Sequence, residues 1–430
     1  MTAHSQAYVL PGLRSPFCKV DRELASLDAL EISVPVVQQT VAGDTGLGPA
    51  NSGRVDLILW GSVIPSLAVS NWAREVWLDS GLDPHVPAQT VIQACGTSLA
   101  AATHAAAQAR DGHLALALCG GVESITFTQV GLTKGLSRTI RRSAGAGSPG
   151  RLIRTLAQLR LADLKISVPG INERTTGKSM GQHCEEMARR WEIRREEQDR
   201  LALDSHTRST EAPDGFFRRL LVSPGTFPVD NDTIPRSDTS LEKLARLKPA
   251  FDPEHGTLTA GNSSPLTDGA AACWVASPEG LRRLPQHLPR ALLVDWEQAA
   301  IDPRSEGLLM APALAVPRLL ARHNLTYGDI GLWEIHEAFA AQVLCTLRAL
   351  EEPRWLRDKA RVDADLGPFP REGLNPNGGS VAIGHPFAAT GARILSQTVV
   401  ELADRPPGTR AVVSICTAGG LGHVALLEAV

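Results

Sequence analysis

Aromatic side chains make up only 4% of this 430-residue sequence, with two tyrosines among them. Basic and aromatic residues are nowhere interleaved, so no base-stacking surface is expected. The formal net charge of -3 supplies no global basic field, which argues against nucleic acid as a partner. Cysteine is sparse and scattered: Cys18, Cys95, Cys119, Cys184, Cys273, Cys345 and Cys416 form no CxxC pair. Such an odd, widely spaced set argues against a disulfide framework and a closed zinc site, and fits a reducing compartment. The histidines include no HExxH. Apolar runs such as residues 114–118 are far too short to cross a bilayer. Residues 1–6 lack a basic region followed by an apolar core, so no secretory signal is expected and the location predicted is cytoplasmic.

What is present is an ordinary globular composition, 43% hydrophobic and 21% charged, long enough for two or three layered domains. One stretch organises it. Val91-Ile92-Gln93-Ala94-Cys95-Gly96-Thr97-Ser98 runs into an alanine-rich segment, which predicts a strand ending at Cys95 and a helix starting beside it. Unpaired N–H groups and the helix dipole at that point favour a thiolate. The competing reading is a buried structural thiol.

Alternation of strand and helix signals through about residue 126 predicts a layered α/β domain. Asp56–Trp60 reads as a buried strand ending at Gly61, and Asn71 as the cap of the next helix. Residues 268–275 read as a small-residue helix followed by a strand, and residues 224–249 as a proline-punctuated loop. Strand and helix signals alternate again from Ala291 to Ile415. The order strand, Cys95, small-residue helix, strand and Gly120-Gly121 is echoed by Gly384-His385, a helix over 388–402, a strand and Gly419-Gly420. Two similar α/β halves would explain this period.

Between residues 127 and 166 the chain turns basic: Lys134, Arg138, Arg141, Arg142, Arg151, Arg154, Arg160 and Lys165 face one acid, Asp163. After a hinge at 143–150, Leu152, Ile153, Leu156, Leu159 and Leu161 interleave with these cations at helical spacing. Such a helix can cover the protein's own core, dock on a partner, or lie on an anionic membrane. The acidic pair Glu196-Glu197 lies in a charged helical stretch. Adjacent helix positions face different directions, so the pair is expected to join solvated ion networks rather than form a catalytic dyad.

Three scattered residues suit acyl transfer through sulfur. Cys95 can attack a carbonyl, His385 in Gly384-His385-Pro386 can take its proton, and Cys416 in a small-residue turn can shuttle a proton at carbon. Their spacing does not by itself bring them together.

The chain resembles the thiolase family, specifically the 3-ketoacyl-CoA thiolases of fatty-acid-oxidation complexes. The resemblance rests on Cys95-Gly96-Thr97-Ser98 with Gly120-Gly121-Val122-Glu123-Ser124, and on Ser179-Met180-Gly181. It continues through the segment from Gly261-Asn262-Ser263-Ser264 to Asp268-Gly269, His336-Glu337-Ala338-Phe339-Ala340, and Asn377-Gly378-Gly379-Ser380 with Gly384-His385-Pro386-Phe387. It ends at Cys416-Thr417-Ala418-Gly419-Gly420-Leu421-Gly422. It implies two βαβαβαββ halves forming five α-β-α-β-α layers: residues 1–126 with 256–289, then 290–430, with 127–255 inserted as a loop domain over the CoA entrance.

The same resemblance implies that Cys95 is the nucleophile, that His385 activates it and helps bind the thioester oxygen, and that Cys416 exchanges the α-proton. His336 stands where many thiolases have asparagine and would position an oxyanion-hole water. The backbone N–H groups of Cys95 and Ala418 would form a second oxyanion hole, although Ala418 replaces the more common glycine. Met180, Ser264 and Phe339 would line the substrate and CoA passage, with simple packing as the alternative for Met180 and Phe339. Ala388-Ala389 departs from the usual Gly-Ala pair, which puts the local wall of the site in doubt. No tightly bound cofactor is implied; coenzyme A is substrate and product. The partners implied are a homodimer or dimer of dimers, a hydratase/dehydrogenase subunit, and peripheral membrane contact through 127–166. Acetoacetyl-CoA synthesis is the close alternative activity, and a noncatalytic lipid-complex scaffold the alternative outside enzymology.

Overall fold

The computed structural model describes residues 6–43, 49–145, 147–164, 166–167, 170 and 172–430. The N-terminal residues 1–5 and Lys165, both used above, lie outside the described residues. The strands are β1 (Tyr8–Arg14), β2 (Cys18–Lys19), β3 (Leu57–Gly61), β4 (Ala88–Thr90), β5 (Leu116–Glu123), β6 (Gly131–Leu132) and β7 (Ile166–Ser167), followed by β8 (Thr267–Ala276), β9 (Ala291–Ala300), β10 (Leu332–Ile335), β11 (Arg410–Thr417) and β12 (Leu421–Ala429). The helices run α1 (Ala29–Ala42), α2 (Trp72–Asp79), α3 (Thr97–Arg110), α4 (Lys134–Ala144), α5 (Pro149–Leu156), α6 (Met180–Arg190) and α7 (Arg195–Thr210). They continue as α8 (Leu241–Ala245), α9 (Pro278–Leu281), α10 (Pro312–Arg322), α11 (Ala340–Leu350), α12 (Ser380–Ile383) and α13 (Thr390–Ala403).

Local chemistry accounts for several of these starts. Asp28 caps α1 in a reciprocal box with Glu31, and Asn71 accepts from the Arg74 N–H to cap α2, as expected. One mixed sheet carries the order β10-β11-β12-β9-β1-β8-β5-β3-β4, with β2 also paired to β8. The duplication is visible in the pairing: β3 with β5 and β10 with β11 are parallel, and each parallel pair is followed by two antiparallel steps, through β8 to β1 and through β12 to β9. The halves join edge to edge where β1 meets β9.

Alternation along the strands builds the layers. Ala117 and Cys119 of β5 face a cluster with α3 and α13, whereas Leu116, Leu118 and Val122 face α1 and α2. Ala411, Val413 and Ile415 of β11 turn to that same α3/α13 cluster, and Val412 and Cys416 turn to α10 and α11. The order is therefore helix, sheet half, helix pair, sheet half, helix, with α3 and α13 at the centre. They approach closely because residue 391 is glycine: a Cβ there would meet the Leu99 nitrogen at 2.5 Å.

Three expectations are corrected. The strand before Cys95 ends at Thr90, and residues 93–96 form a turn, closed by the Gly96 N–H on the Gln93 carbonyl at 2.9 Å, in which Ala94 takes a left-handed φ of 44°. Residues 268–275 are strand throughout; alanine favours helix locally, but this central strand is buried on both faces, where small side chains let helices approach from either side. The basic segment forms two helices, α4 and α5, and the second stops at Leu156 rather than running to Leu161. Its apolar residues Ile140, Leu152 and Ile153 are exposed rather than packed on the core, and within α4 Thr139 is buried.

Candidate active site at the junction of the halves

The duplication brings two equivalent loops face to face, one before each central helix. Cys95 stands two residues before α3, and His385 five residues before α13. The Ala392 N–H donates to Ser98 Oγ at 2.8 Å and pins the two helix starts together. Around Cys95, the Thr97 hydroxyl donates to the Ala94 carbonyl at 2.7 Å and accepts from the Gln93 N–H at 2.8 Å. These bonds stabilise the left-handed turn at Ala94 and fix the direction of the half-buried thiol.

His385 Nε2 lies 3.2 Å from Cys95 Sγ. Its Nδ1 lies 2.6 Å from Thr390 Oγ1, and its N–H donates to Thr267 Oγ1 at 3.0 Å. The His336 ring lies beside it, tilted by 49°, with centroids 4.1 Å apart. His336 is placed by β10 and by its N–H, which donates to the Ser414 carbonyl at 2.8 Å. Its Nε2 is buried and has no partner among the described residues. Cys416 sits within β11, not in a turn; the turn follows at Ala418–Gly420.

Electrostatics corrects the thiolate expectation. Burial pushes the Cys95 thiol up to about 12, overriding the opposing effect of the backbone N–H groups of Ala418 and of Cys95 itself. Burial takes His385 down to about 3, assisted by Arg393. Burial, His385 and Arg393 hold His336 well below the ordinary histidine range. Cys416 is raised by burial and by neighbouring Cys95. The resting site is thus two neutral thiols and two neutral imidazoles, with the backbone N–H groups of Cys95 and Ala418 favouring negative charge at the Cys95 sulfur. Such a group can deprotonate a thiol on demand and stabilise negative charge that develops nearby.

Three carboxyl side chains hold the frame. Buried Glu123 accepts from Ser62 Oγ (2.6 Å) and from the N–H groups of Val63 (2.9 Å), Ile64 (3.1 Å) and Ala388 (3.2 Å); burial raises its pKa to about 7. Gly121 must lack a side chain because a Cβ would meet the Ala388 carbonyl oxygen at 2.5 Å. The Ala388 departure therefore sits against Gly121 and Glu123. Glu337 accepts from Ser205 Oγ (2.7 Å), Asn375 Nδ2 (2.6 Å) and the Val381 N–H (3.2 Å), tying the His336 turn to α7 and to the Asn377–Ser380 segment. Glu173 accepts from the Gly419 N–H at 3.0 Å and so braces the Ala418 turn. No sequence spacing pointed to Glu173, Thr390 or Arg393. Glu123, Glu337 and Ser380 stood inside recognised segments but carried no assigned task.

Ser264 donates both its N–H (3.0 Å) and its hydroxyl (2.9 Å) to the Ala338 carbonyl. Phe339 packs edge-on to Phe251, 5.7 Å between centroids, in an apolar cluster on which half-buried Met180 also rests. Beside Pro265 opens a cavity of about 380 Å³ lined by Lys19, Arg236, Lys243 and Gly261, among others. The Glu196-Glu197 region behaves as expected: Glu197 pairs with Arg194 and Arg348, and Asp199 with Arg195.

Fold and site together define a duplicated, layered α/β protein with a cysteine–imidazole centre where its halves meet. Residues 7–279 match the family described as Thiolase, N-terminal domain, and residues 287–429 match Thiolase, C-terminal domain. The chain belongs to the thiolase family. It is 36% identical over 422 residues to a 3-ketoacyl-CoA thiolase of Erwinia tasmaniensis, covering 97% of this chain and 95% of that protein. A 3-ketoacyl-CoA thiolase of Yersinia pestis is also 36% identical, over 425 residues, with 98% and 96% covered. Among solved structures, a Bacillus anthracis acetyl-CoA acetyltransferase matches with a TM-score of 0.81 at 28% identity, covering 100% of both chains. The Acat5 thiolase of Ascaris suum in complex with coenzyme A matches with a TM-score of 0.80 at 25% identity, covering 99% of this chain and 100% of that one.

Proposed function

We propose that this protein is a 3-ketoacyl-CoA thiolase of fatty-acid β-oxidation, an acetyl-CoA C-acyltransferase with Cys95 as nucleophile. The observation that carries the reading is the 3.2 Å contact between His385 Nε2 and Cys95 Sγ, in a chain 36% identical to proteins of that activity. His385 Nδ1–H donates to Thr390 Oγ1, whose own hydroxyl turns to the Pro386 carbonyl 3.4 Å away. That leaves the Nε2 lone pair free to take the thiol proton.

The thiolate attacks the 3-keto carbon, and the resulting alkoxide is held by the Cys95 and Ala418 N–H groups. The C2–C3 bond then breaks. The shortened acyl chain stays on Cys95 as a thioester, and the electron pair departs on C2 as the acetyl-CoA carbanion. His385 and a water positioned by His336 stabilise the thioester oxygen of that carbanion, and Cys416 supplies its proton. A second CoA thiolate attacks the acyl-enzyme and releases the shortened acyl-CoA, giving ping-pong kinetics. Met180, Ser264 and Phe339 line the passage. Lys19 and Arg236, beside the Lys243–Asp238 ion pair, leave the adjoining cavity with a net positive lining that suits the anionic nucleotide end of CoA. Condensation of acetyl-CoA uses the same residues in reverse; the 28% identity to an acetyl-CoA acetyltransferase supports it as the second reading.

The domain reading is two thiolase halves, 1–126 with 256–289 and 290–430, with 127–255 inserted as the loop domain. The assembly proposed is a homodimer or dimer of dimers, working beside a hydratase/dehydrogenase subunit in the cytoplasm, a location the seven free cysteines support. No helix among the described residues is long and apolar enough to cross a membrane. The α4–α5 hairpin instead supports peripheral contact with anionic lipid, because exposed Ile140 and Ile153 stand among exposed arginines.

Intact-mass measurement after brief exposure to 3-ketohexadecanoyl-CoA tests the activity. A 14-carbon acyl adduct is expected on the wild-type protein, absent from Cys95→Ser, and discharged by added CoA. Absence of adduct and product overturns long-chain thiolysis, and an adduct with acetoacetyl-CoA alone would favour the synthetic reading.

A further inference from the structure

Arg393 lies buried in α13 and donates through Nη2 to Ser380 Oγ at 2.9 Å and through Nη1 to Gln397 Oε1 at 3.0 Å. A guanidinium has donors only, so it can receive nothing from the Ser380 hydroxyl. The other side-chain partner of Ser380 Oγ among the described residues is His336 Nδ1, also at 2.9 Å. Were Nδ1 to carry the proton, both neighbours would donate into one oxygen and the hydroxyl hydrogen would be stranded in a dry interior. With Nδ1 as acceptor, Arg393 Nη2 donates to Ser380 Oγ and the Ser380 hydroxyl donates on to His336, so no hydrogen is stranded at Ser380; the nitrogens of this relay without a partner among the described residues are Arg393 Nε and His336 Nε2. A neutral imidazole that accepts at Nδ1 carries its proton on Nε2.

We propose that Ser380 and Arg393 are positioning residues that lock His336 in its Nε2–H tautomer and make it a standing hydrogen-bond donor at the Cys95 site. That nitrogen is buried and has no partner among the described residues. Its ring lies 4.1 Å from that of His385, which reaches Cys95. The two adjacent imidazoles thereby take opposite tautomers for a physical reason. The hydroxyl behind His385, Thr390, has a carbonyl outlet and accepts; the hydroxyl behind His336, Ser380, is fed by a cation and must donate. One ring presents a lone pair to the thiol and the other a proton to developing negative charge. Arg393 remains cationic at neutral pH: burial lowers its pKa only to about 10, and buried Glu334 and Glu337 oppose the shift.

The proposal rests on the reading of His336 as an oxyanion-site donor, and its test separates the two. Histidine labelled with 15N in the imidazole, followed by two-bond 1H–15N correlation at neutral pH on substrate-free protein, reports each tautomer, and a His336→Asn difference spectrum assigns the signal. His336 is expected protonated at Nε2 in the wild type and in Ser380→Thr, and shifted toward Nδ1–H or a mixture in Ser380→Ala. In turnover, Ser380→Ala should lower kcat roughly 10- to 100-fold with KM nearly unchanged, less than the loss of an oxyanion donor outright. A wild-type spectrum with the proton on Nδ1, or a Ser380→Ala spectrum and kcat unchanged from wild type, overturns the lock. The wild-type spectrum needs no altered relay residue, so a Ser380 variant that fails to fold leaves the test standing. If the thiolase reading fails, Cys95 stays unacylated while the Nε2–H signal persists and upholds the lock.

Discussion

At Cys95 two fields compete. The start of α3 and the N–H groups of Cys95 and Ala418 draw negative charge toward the sulfur, whereas desolvation holds the proton on it, and desolvation wins, with the thiol near 12. Reactivity therefore depends on the neighbouring base rather than on a standing thiolate. His385→Ala should slow Cys95 alkylation by iodoacetamide at pH 8 roughly a hundredfold, read as intact mass against time. An unchanged rate would remove His385 from the activation step. The candidate residues were legible as types because cysteine and histidine are chemically distinctive. The tautomers were not, since they depend on Thr390, Ser380 and Arg393, which become neighbours only through α12 and α13.

At the scale of elements, positions without side chains decide how closely the layers meet. Gly121→Ala would drive a methyl into the Ala388 backbone, next to the N–H that holds Glu123, and should cost about 1–3 kcal/mol, read as a lowered urea midpoint with unchanged slope. The strand at Asp56–Trp60 and the Asn71 cap are readable in the sequence because they depend on local pattern. The misreading of 268–275 as part helix came from alanine propensity, which burial of both strand faces overrides. The α4–α5 hairpin is the converse case: its period was readable, but only the fold shows that Ile140, Leu152 and Ile153 stand exposed rather than in the core. Replacing Arg141, Arg142, Arg151 and Arg154 by Gln should abolish cosedimentation with phosphatidylglycerol-containing vesicles and leave turnover of soluble substrate intact. Retained binding would point away from lipid charge.

For the whole molecule, buried titrating groups set the acid response. His385 protonates near 3, and His206 and His423 near 4, in the folded state, against an ordinary 6.5. The unfolded chain therefore takes up these protons first, and stability falls as pH drops below about 6.5. Glu123 acts in the opposite direction, because its folded carboxyl takes a proton near 7 rather than 4.5. Each group contributes a slope of up to ~1.4 kcal/mol per pH unit within its window. His423→Gln should therefore flatten the loss of urea stability between pH 6 and 4.5, and an unaltered slope would show that His423 already titrates normally.

The sequence by itself determined the family, the duplicated α/β plan and the chemical types at the centre, because these are carried by short segments whose residues do not depend on their neighbours for identity. Only the tertiary structure decided that Cys95 rests as a thiol, that Glu173 braces the Ala418 turn from 246 residues away, and that a buried arginine stands behind His336. Desolvation, hydrogen-bond direction and proximity are properties of packed neighbours, and those neighbours come from opposite halves of the chain.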